Sequence, residues 1–370
     1  MIAKALDLIV WGDLEELVER AVPEGRRLDY KLTLPGGRDE DIREFLADVT
    51  SLANTDGGDL IYGVRDVDGA AGAVEGLDVS DFDSAILRLE NIARDAIDPR
   101  LSAFQMRVVS GGAGKSVIIA RISASLGAPH RVSYRGSSRF YARNSRGKYK
   151  MDTHELRQAF AASEIMPRRL RDLHERTLGA ARGEDMPVKL VEGPSALVTI
   201  APMSIVREQV DISVPREDAL LPPRVGGGLD ILVGFEGTVV LTSMDRERTA
   251  AGAFSINHRT GFISAGWFIG RERDGEKIVW PKYFVEMLPG FVASALARLG
   301  QYGLSGPWIV MASVRDLSGY QLILQDNYRS ESAWQANAYL GDLMFERLET
   351  DTLTPLTDGF LRIFGIDNQS

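Results

Sequence analysis

Glu24, Asp29 and Lys31 fall within one short stretch, EGRRLDYK. Two carboxylates and an ammonium so close together have two uses. They can be a solvated sheet edge, although acidic side chains are poor strand formers, or they can share a site. The alternation of Leu28, Tyr30 and Leu32 with Asp29 and Lys31 predicts a strand around Arg27–Leu32. Its apolar set faces the core, and Asp29 and Lys31 become neighbours on the other face. What such a site could hold is bounded by composition. Zero Cys excludes disulfides, thiolate catalysis and sulfur-bound zinc, and four scattered His make a histidine metal cage improbable. Any metal would be held mainly by oxygen, which favours Mg²⁺ or Mn²⁺.

The elements that must position these residues follow from periodicity. DLEELVERA, from Asp13, reads as a short amphipathic helix leading to Glu24. Ile42, Phe45, Leu46, Val49 and Leu52 recur at helical spacing over 40–53, and Asn54-Thr55-Asp56-Gly57-Gly58 stops that helix before the strand LIYGV. The strand ends at Arg65-Asp66, and a glycine-rich loop or hairpin follows. A helix opens after Ser80 and closes before Pro99, followed by strands FQMRVVS and SVIIARIS. Their junction GGAGK imitates a phosphate-binding loop, but a strand follows it where that motif needs a helix, so it is read as a hairpin. Strands RVSYR and RFYAR come next, then a helix from about Asp152 opened by the capping box DTHE.

The 370 residues predict two or three domains, and 44 % hydrophobic content lets each bury a core. No apolar run is long enough to span a bilayer, and a secretory leader is not expected, so the chain is read as cytoplasmic. The expected domains are 1–160, a polar helical connector 161–186, and an α+β domain 187–370. In the last, strands are expected at LVTIA, DILVGF, TVVLTS, AFSIN, GFISAGWFI, PWIVMAS and YQLIL, and helices near 282–300 and 333–348. Trp267, Trp280, Trp308 and Trp334 are read as core. No chemistry is assigned to this half.

Net charge is −9, which by itself argues against a nucleic-acid partner. The distribution reverses that average. Residues 99–151 contain no acid and eleven basic residues: Arg100, Arg107, Lys115, Arg121, Arg131, Arg135, Arg139, Arg143, Arg146, Lys148 and Lys150. Tyr134, Phe140, Tyr141 and Tyr149 interleave with them. That mixture suits a surface where phosphates are neutralised and bases stack. The expected binding set is Arg131, Arg135, Arg139, Arg143, Arg146, Lys148, Lys150 and Tyr141. The alternative is a set of basic residues that protect sheet edges.

Over about residues 10–160 the order of residues resembles the AlbA-type domain of the Schlafen family. The matching stretches are Glu24 with Asp29-Tyr30-Lys31, Leu52-Ala53-Asn54-Thr55-Asp56-Gly57-Gly58, Gly63-Val64-Arg65-Asp66, and the closing Tyr141-Ala142-Arg143-Asn144 with Met151. Asp29 stands where the family usually has Glu, and Leu52 where it has Phe. The resemblance implies an α+β fold, with a mixed sheet and helices, joined through the connector to the second α+β domain. It also implies that Glu24, Asp29 and Asp66 form an acidic catalytic triad. Such a triad holds a divalent metal, Mg²⁺ or Mn²⁺, for phosphodiester cleavage, with Lys31 stabilising the developing charge. The implied activity is a metal-dependent endoribonuclease acting on structured RNA such as tRNA, with RNA favoured over DNA. Two other readings stay open: a non-catalytic DNA-binding regulator, and an assembly subunit of a larger complex, for example in phage defence. Homodimerisation would supply the second lobe that the family's enzymes carry. No membrane partner is expected.

Overall fold

The computed structural model describes residues 2, 4, 6–101, 104–125, 127–207, 210–324 and 328–367. The protein is mixed α+β and divides into two compact units, Met1–Met166 and Pro167–Ser370. The elements of the first are α1 (Trp11–Glu19), β1 (Leu28–Lys31), α2 (Asp39–Ala53), β2 (Gly58–Tyr62), β3 (Val64–Val67), β4 (Ala70–Val74), α3 (Phe82–Ala96), β5 (Ile97–Asp98), β6 (Phe104–Ser110), β7 (Ser116–Ile122), β8 (Arg131–Tyr134), β9 (Ser137–Asn144) and β10 (Gly147–Lys150). A long helix, α4 (Thr153–Arg182), contributes residues to both units.

The central sheet has the order β1-β2-β7-β6, with β1 parallel to β2 and the other pairs antiparallel. Side chains alternate across it. Leu60, Tyr62, Ile118, Ala120 and Ile122 pack with α2 and α3. Leu28, Tyr30, Ile61, Val117 and Ile119 pack with α1 and the β3–β4 hairpin. Because both faces are covered, Leu60–Tyr62 of β2 and Val117–Ala120 of β7 read in sequence as apolar runs, bordered by the buried Asp59–Arg121 pair. Asp39, Glu40 and Asp41 occupy the first turn of α2, where the helix dipole favours negative charge. Its inner face buries Ile42, Phe45, Leu46, Val49 and Leu52.

The turn after α2 is fixed by close backbone approach. Gly57 and Gly58 have φ of 68° and 155°. A Cβ on Gly57 would lie 2.6 Å from the Ala124 nitrogen, and one on Gly58 would lie 2.5 Å from the Arg27 carbonyl oxygen. Only glycine fits there. A second sheet, β10-β9-β8-β5, is lashed to this turn through Asn54. The Asn54 Nδ2 donates to the carbonyls of His130 (2.9 Å) and Tyr141 (2.8 Å), and its Oδ1 accepts from the His130 N–H. Strand β10 is absent from the sequence-based reading. Its residues Gly147–Lys150 are short, basic and glycine-led, so neither hydrophobic alternation nor β propensity marks them. The expected capping box is present, with reciprocal 2.8 Å bonds between Asp152 and Glu155.

The second unit contains β11 (Lys189–Leu190), β12 (Ser195–Pro202), α5 (Ser204–Arg207), β13 (Leu229–Val233), β14 (Gly237–Thr242), β15 (Ala250–Ala251), β16 (Ala253–His258), β17 (Ile263–Phe268), β18 (Gly270–Arg273), β19 (Glu276–Val279), α6 (Met287–Gln301), β20 (Trp308–Arg315), β21 (Gln321–Ile323), β22 (Arg329–Ser332), β23 (Ala338–Phe345) and α7 (Thr354–Arg362). Seven strands form an antiparallel sheet in the order β13-β14-β16-β17-β12-β20-β23. One face packs against α6 and α7 through Trp267, Phe284, Phe291, Val310 and Phe360. The other buries Leu197, Leu241, Phe254 and Ile256 against Ala180 and Ala181 of α4.

Two expectations for this half are corrected. The helix expected near 333–348 is strand β23, paired antiparallel with β20. The register shifts between Ala312 and Ser313, which leaves Leu340 as an extra residue. The core-facing set therefore runs Ala338, Leu340, Leu343, Phe345, and a bulge in a period-2 pattern imitates helical spacing. Trp334 is 87 % exposed and is not core, whereas Trp267 and Trp308 are. The segment read as a polar connector buries His174, Thr177, Ala180 and Ala181. Small and polar residues at that helical spacing carry little hydropathy signal.

Candidate functional site

Strand β1 places Asp29 and Lys31 on the face opposite Leu28 and Tyr30, and the structure surrounds them with charge. The Lys31 Nζ donates to Asp29 Oδ1 at 2.7 Å. The Arg143 Nη2 lies 2.6 Å from Asp29 Oδ2, so both carboxylate oxygens are held by cations. Asp48, which α2 presents to the same place, pairs with Lys148 at 2.7 Å and lies 3.8 Å from Lys31. Lys148 also bonds Glu44, one turn earlier on α2. Arg143 and Lys148 reach this cluster because they are direct cross-strand partners on β9 and β10 and share a face. The Thr55 hydroxyl accepts from the Arg143 N–H at 3.0 Å, and the Arg143 Nε donates to the Gly25 carbonyl at 2.9 Å. Asp29 and Arg143 are each only 3 % exposed.

The charges set one another's protonation. Burial raises the Asp29 carboxyl, but Lys31 and Arg143 together bring it below its ordinary value. Burial lowers the Lys31 ammonium, and Asp48 and Asp29 more than reverse that. Burial raises Asp48, and the cations around it offset this only in part. Glu24 accepts from the Tyr30 N–H at 2.9 Å. Burial, then the charge of Asp29 beside it, push Glu24 up.

Of the residues expected to act together, Glu24, Asp29 and Lys31 are gathered. Among the described residues Asp66 makes no hydrogen bond or ion pair with them. It is exposed on the β3–β4 hairpin, whose Val64 and Ala71 pack into the cluster beside α1. Among the described residues, no group of three or more His, Asp or Glu is arranged to hold a metal ion. The donor chemistry points the same way, because a cation at Asp29 would compete with Lys31 and Arg143 for both oxygens. Mg²⁺ needs near-octahedral oxygen donors, and both oxygens of Asp29 are already paired with cations. Asp48 was missed in sequence. The available signal was its i+4 spacing from Glu44 within an otherwise buried helix face.

The basic tract is also redistributed. Arg107 bonds the Leu6 and Ile9 carbonyls, and Arg121 grips Asp59 at 2.8 Å, so both are structural. Arg143 is buried, and Lys148 is committed to Glu44 and Asp48. The Tyr141 ring packs against the core, Phe140 stands edge-on to Phe160, and Tyr149 donates to Glu155. These rings do not form an open stacking platform. Arg131 pairs with Asp98 and Arg135 with Asp39, both at the surface, where such pairs contribute about 0–1 kcal/mol and exchange readily. Arg139, Arg146 and Lys150 are exposed, and no carboxylate among the described residues pairs with them. Among the described residues, no helix is long and apolar enough to cross a membrane.

Comparison with known proteins gives a family match within the first unit. Residues 24–152 match the model described as Schlafen, AlbA_2. No curated protein matches the chain. Among solved structures, the DIP2311 protein of Corynebacterium diphtheriae aligns at 21 % identity and TM-score 0.28, over 41 % of this chain and 29 % of that one. The N-terminal domain of a putative ATP-dependent DNA helicase RecG-related protein from Nitrosomonas europaea aligns at 22 % identity and TM-score 0.27, over 35 % of this chain and 84 % of that one. The chain thus spans under a third of the length of DIP2311. The matched stretch, residues 24–152, holds the charge cluster and the basic strands and is similar to the Schlafen AlbA_2 domain.

Proposed function

We propose that the first unit is a nucleic-acid-binding module that does not cut its ligand through Glu24, Asp29 and Asp66. The Schlafen AlbA_2 match supports the ligand class. The observation that carries the rest is the double neutralisation of Asp29 by Lys31 and Arg143. An acid held on both oxygens, by the buried Arg143 and the half-buried Lys31, anchors β1 to β9 and is not free to take a metal. The ligand is met by the outer cations of β8–β10: Arg139, Arg146 and Lys150 directly, and Arg131 and Arg135 by exchanging surface carboxylates for phosphate. With few open aromatic faces, binding is dominated by phosphate contact and is weakly sequence-dependent.

The test incubates the pure full-length chain with a structured RNA, single-stranded DNA and double-stranded DNA, with and without Mn²⁺. Binding without cleavage under every condition is expected. Mn²⁺-dependent cleavage that is lost in Asp66→Asn would overturn the proposal, because it would require Asp66 to join a catalytic site.

A further inference from the structure

The second unit contains a cavity of about 740 Å³ walled by Pro223, Arg224, Gly226, Phe268, Tyr283 and Met287. Its size suits a small organic ligand. Arg224 is half-buried in it, and its guanidinium lies 3.7 Å from the ring centre of Phe268 and 4.1 Å from that of Tyr283. One nitrogen, Nη1, donates to the Phe268 carbonyl at 3.0 Å. No carboxylate among the described residues pairs with this guanidinium. A planar fork fixed between two rings, with donors to spare, is prepared for an oxyanion.

The adjoining loop adds donors of a second kind. Among the described residues, the backbone N–H groups of Val225, Gly226 and Gly227 have no hydrogen-bond acceptor. Gly227 has φ of 70°, and a Cβ on Gly226 would come 3.2 Å from the Ser243 Oγ, so backbone and not side chain forms this lip. The Ser243 hydroxyl donates to the Gly226 carbonyl and ties the loop to the end of β14. Successive free amides beside a positive-φ glycine favour a tetrahedral anion. Burial also lowers the affinity of Arg224 for its proton, and a bound anion would reverse that.

From this geometry we propose that the cavity binds a small organic phosphate, with the phosphate on Arg224 and the Val225–Gly227 amides and the organic body against Met287 and the apolar wall. The site is independent of the nucleic-acid face of the first unit.

Calorimetric titration of the full-length chain with 5′-AMP, with adenosine and with a 5′-phosphorylated oligonucleotide tests this. The expected result is saturable binding of 5′-AMP and none of adenosine. Arg224→Lys keeps the charge but loses the fork and should weaken 5′-AMP at least about tenfold, as expected when a bidentate site is lost. Val225→Glu, at an exposed position, should place a competing carboxylate beside the guanidinium and abolish binding without unfolding the unit. That second variant keeps the test valid if Arg224→Lys folds poorly. No binding of 5′-AMP at millimolar concentration, or binding that neither variant changes, would overturn the proposal. Arg224-dependent binding of the oligonucleotide alone would also overturn it, since the occupant would then be a nucleic-acid end.

Discussion

Replacing Asp29 by Asn should be a stability mutation before it is anything else. The change removes one charge and leaves the Arg143 side chain, 2 % exposed, with no counter-ion closer than Asp48 at 4.0 Å. Arg143 Nη1 already has no hydrogen-bond partner, and the Nε bond to the neutral Gly25 carbonyl does not balance the charge. At an effective dielectric of about 20, each unit charge pair about 4 Å apart is worth roughly 4 kcal/mol. Asp29 has two such pairs, partly offset by its own desolvation. Breaking a buried pair from one side typically costs about 3–5 kcal/mol. Native-state amide exchange reports this loss within the first unit alone. Protection of the β2 and β7 amides should fall by roughly two to three powers of ten, at about 1.4 kcal/mol per decade. Asp66→Asn, at an exposed position, should stay within about 0.5 kcal/mol of wild type. The double change Asp29→Asn with Arg143→Met should recover part of the loss, because no unpaired charge remains. Equal and small effects of Asp29→Asn and Asp66→Asn on exchange would mean that Asp29 is not a buried anchor and that the two acids do not differ in role.

Gly57→Ala should destabilise the first unit by about 1–3 kcal/mol through backbone strain at positive φ, measured by the same exchange experiment. His174, held between Thr199 (2.8 Å) and Ser313 (2.7 Å), has a pKa lowered by burial to about 4 from the usual 6.5. The unfolded chain therefore binds more protons between those values. Stability of the second unit is full above pH 6.5 and should fall by roughly 3 kcal/mol as pH drops through this window, and His174→Gln should flatten the urea midpoint against pH. Removing residues 1–186 strips Ala180, Ala181, Thr177 and His174 from the sheet, so the remaining chain should bind a hydrophobic dye. A chain starting at Pro167 keeps that cover and should not.

Local patterns were legible where a residue's surroundings are set by its own element. The alternation in LDYK placed Asp29 beside Lys31, and the spacing in α2 marked its buried face. Reading fails where the partner comes from far along the chain. The tract 99–151 has no acid of its own, yet Asp39, Glu44 and Asp48 of α2 and Asp29 of β1 meet Arg135, Lys148 and Arg143 in space. A charge run in sequence is therefore not a charge patch on the surface. Of the aromatic residues among the cations, Tyr134 and Tyr141 pack on the core, because period 2 sends half of any strand inward. Leu340 shows the same limit for fold, since one extra residue in a strand converts its pattern into that of a helix.

As proposed, the first unit holds nucleic acid through the exposed cations of β8–β10 while Arg143 and Lys148 anchor the fold. The most direct measurement is the salt dependence of binding by wild type and by the triple variant Arg139→Ala, Arg146→Ala, Lys150→Ala, all exposed positions. Each phosphate contact removed should flatten the slope of log K against log salt by about 0.7–0.9. A weaker and flatter dependence is expected for the triple variant, with amide protection in β2 and β7 unchanged. An affinity and slope identical to wild type would contradict it.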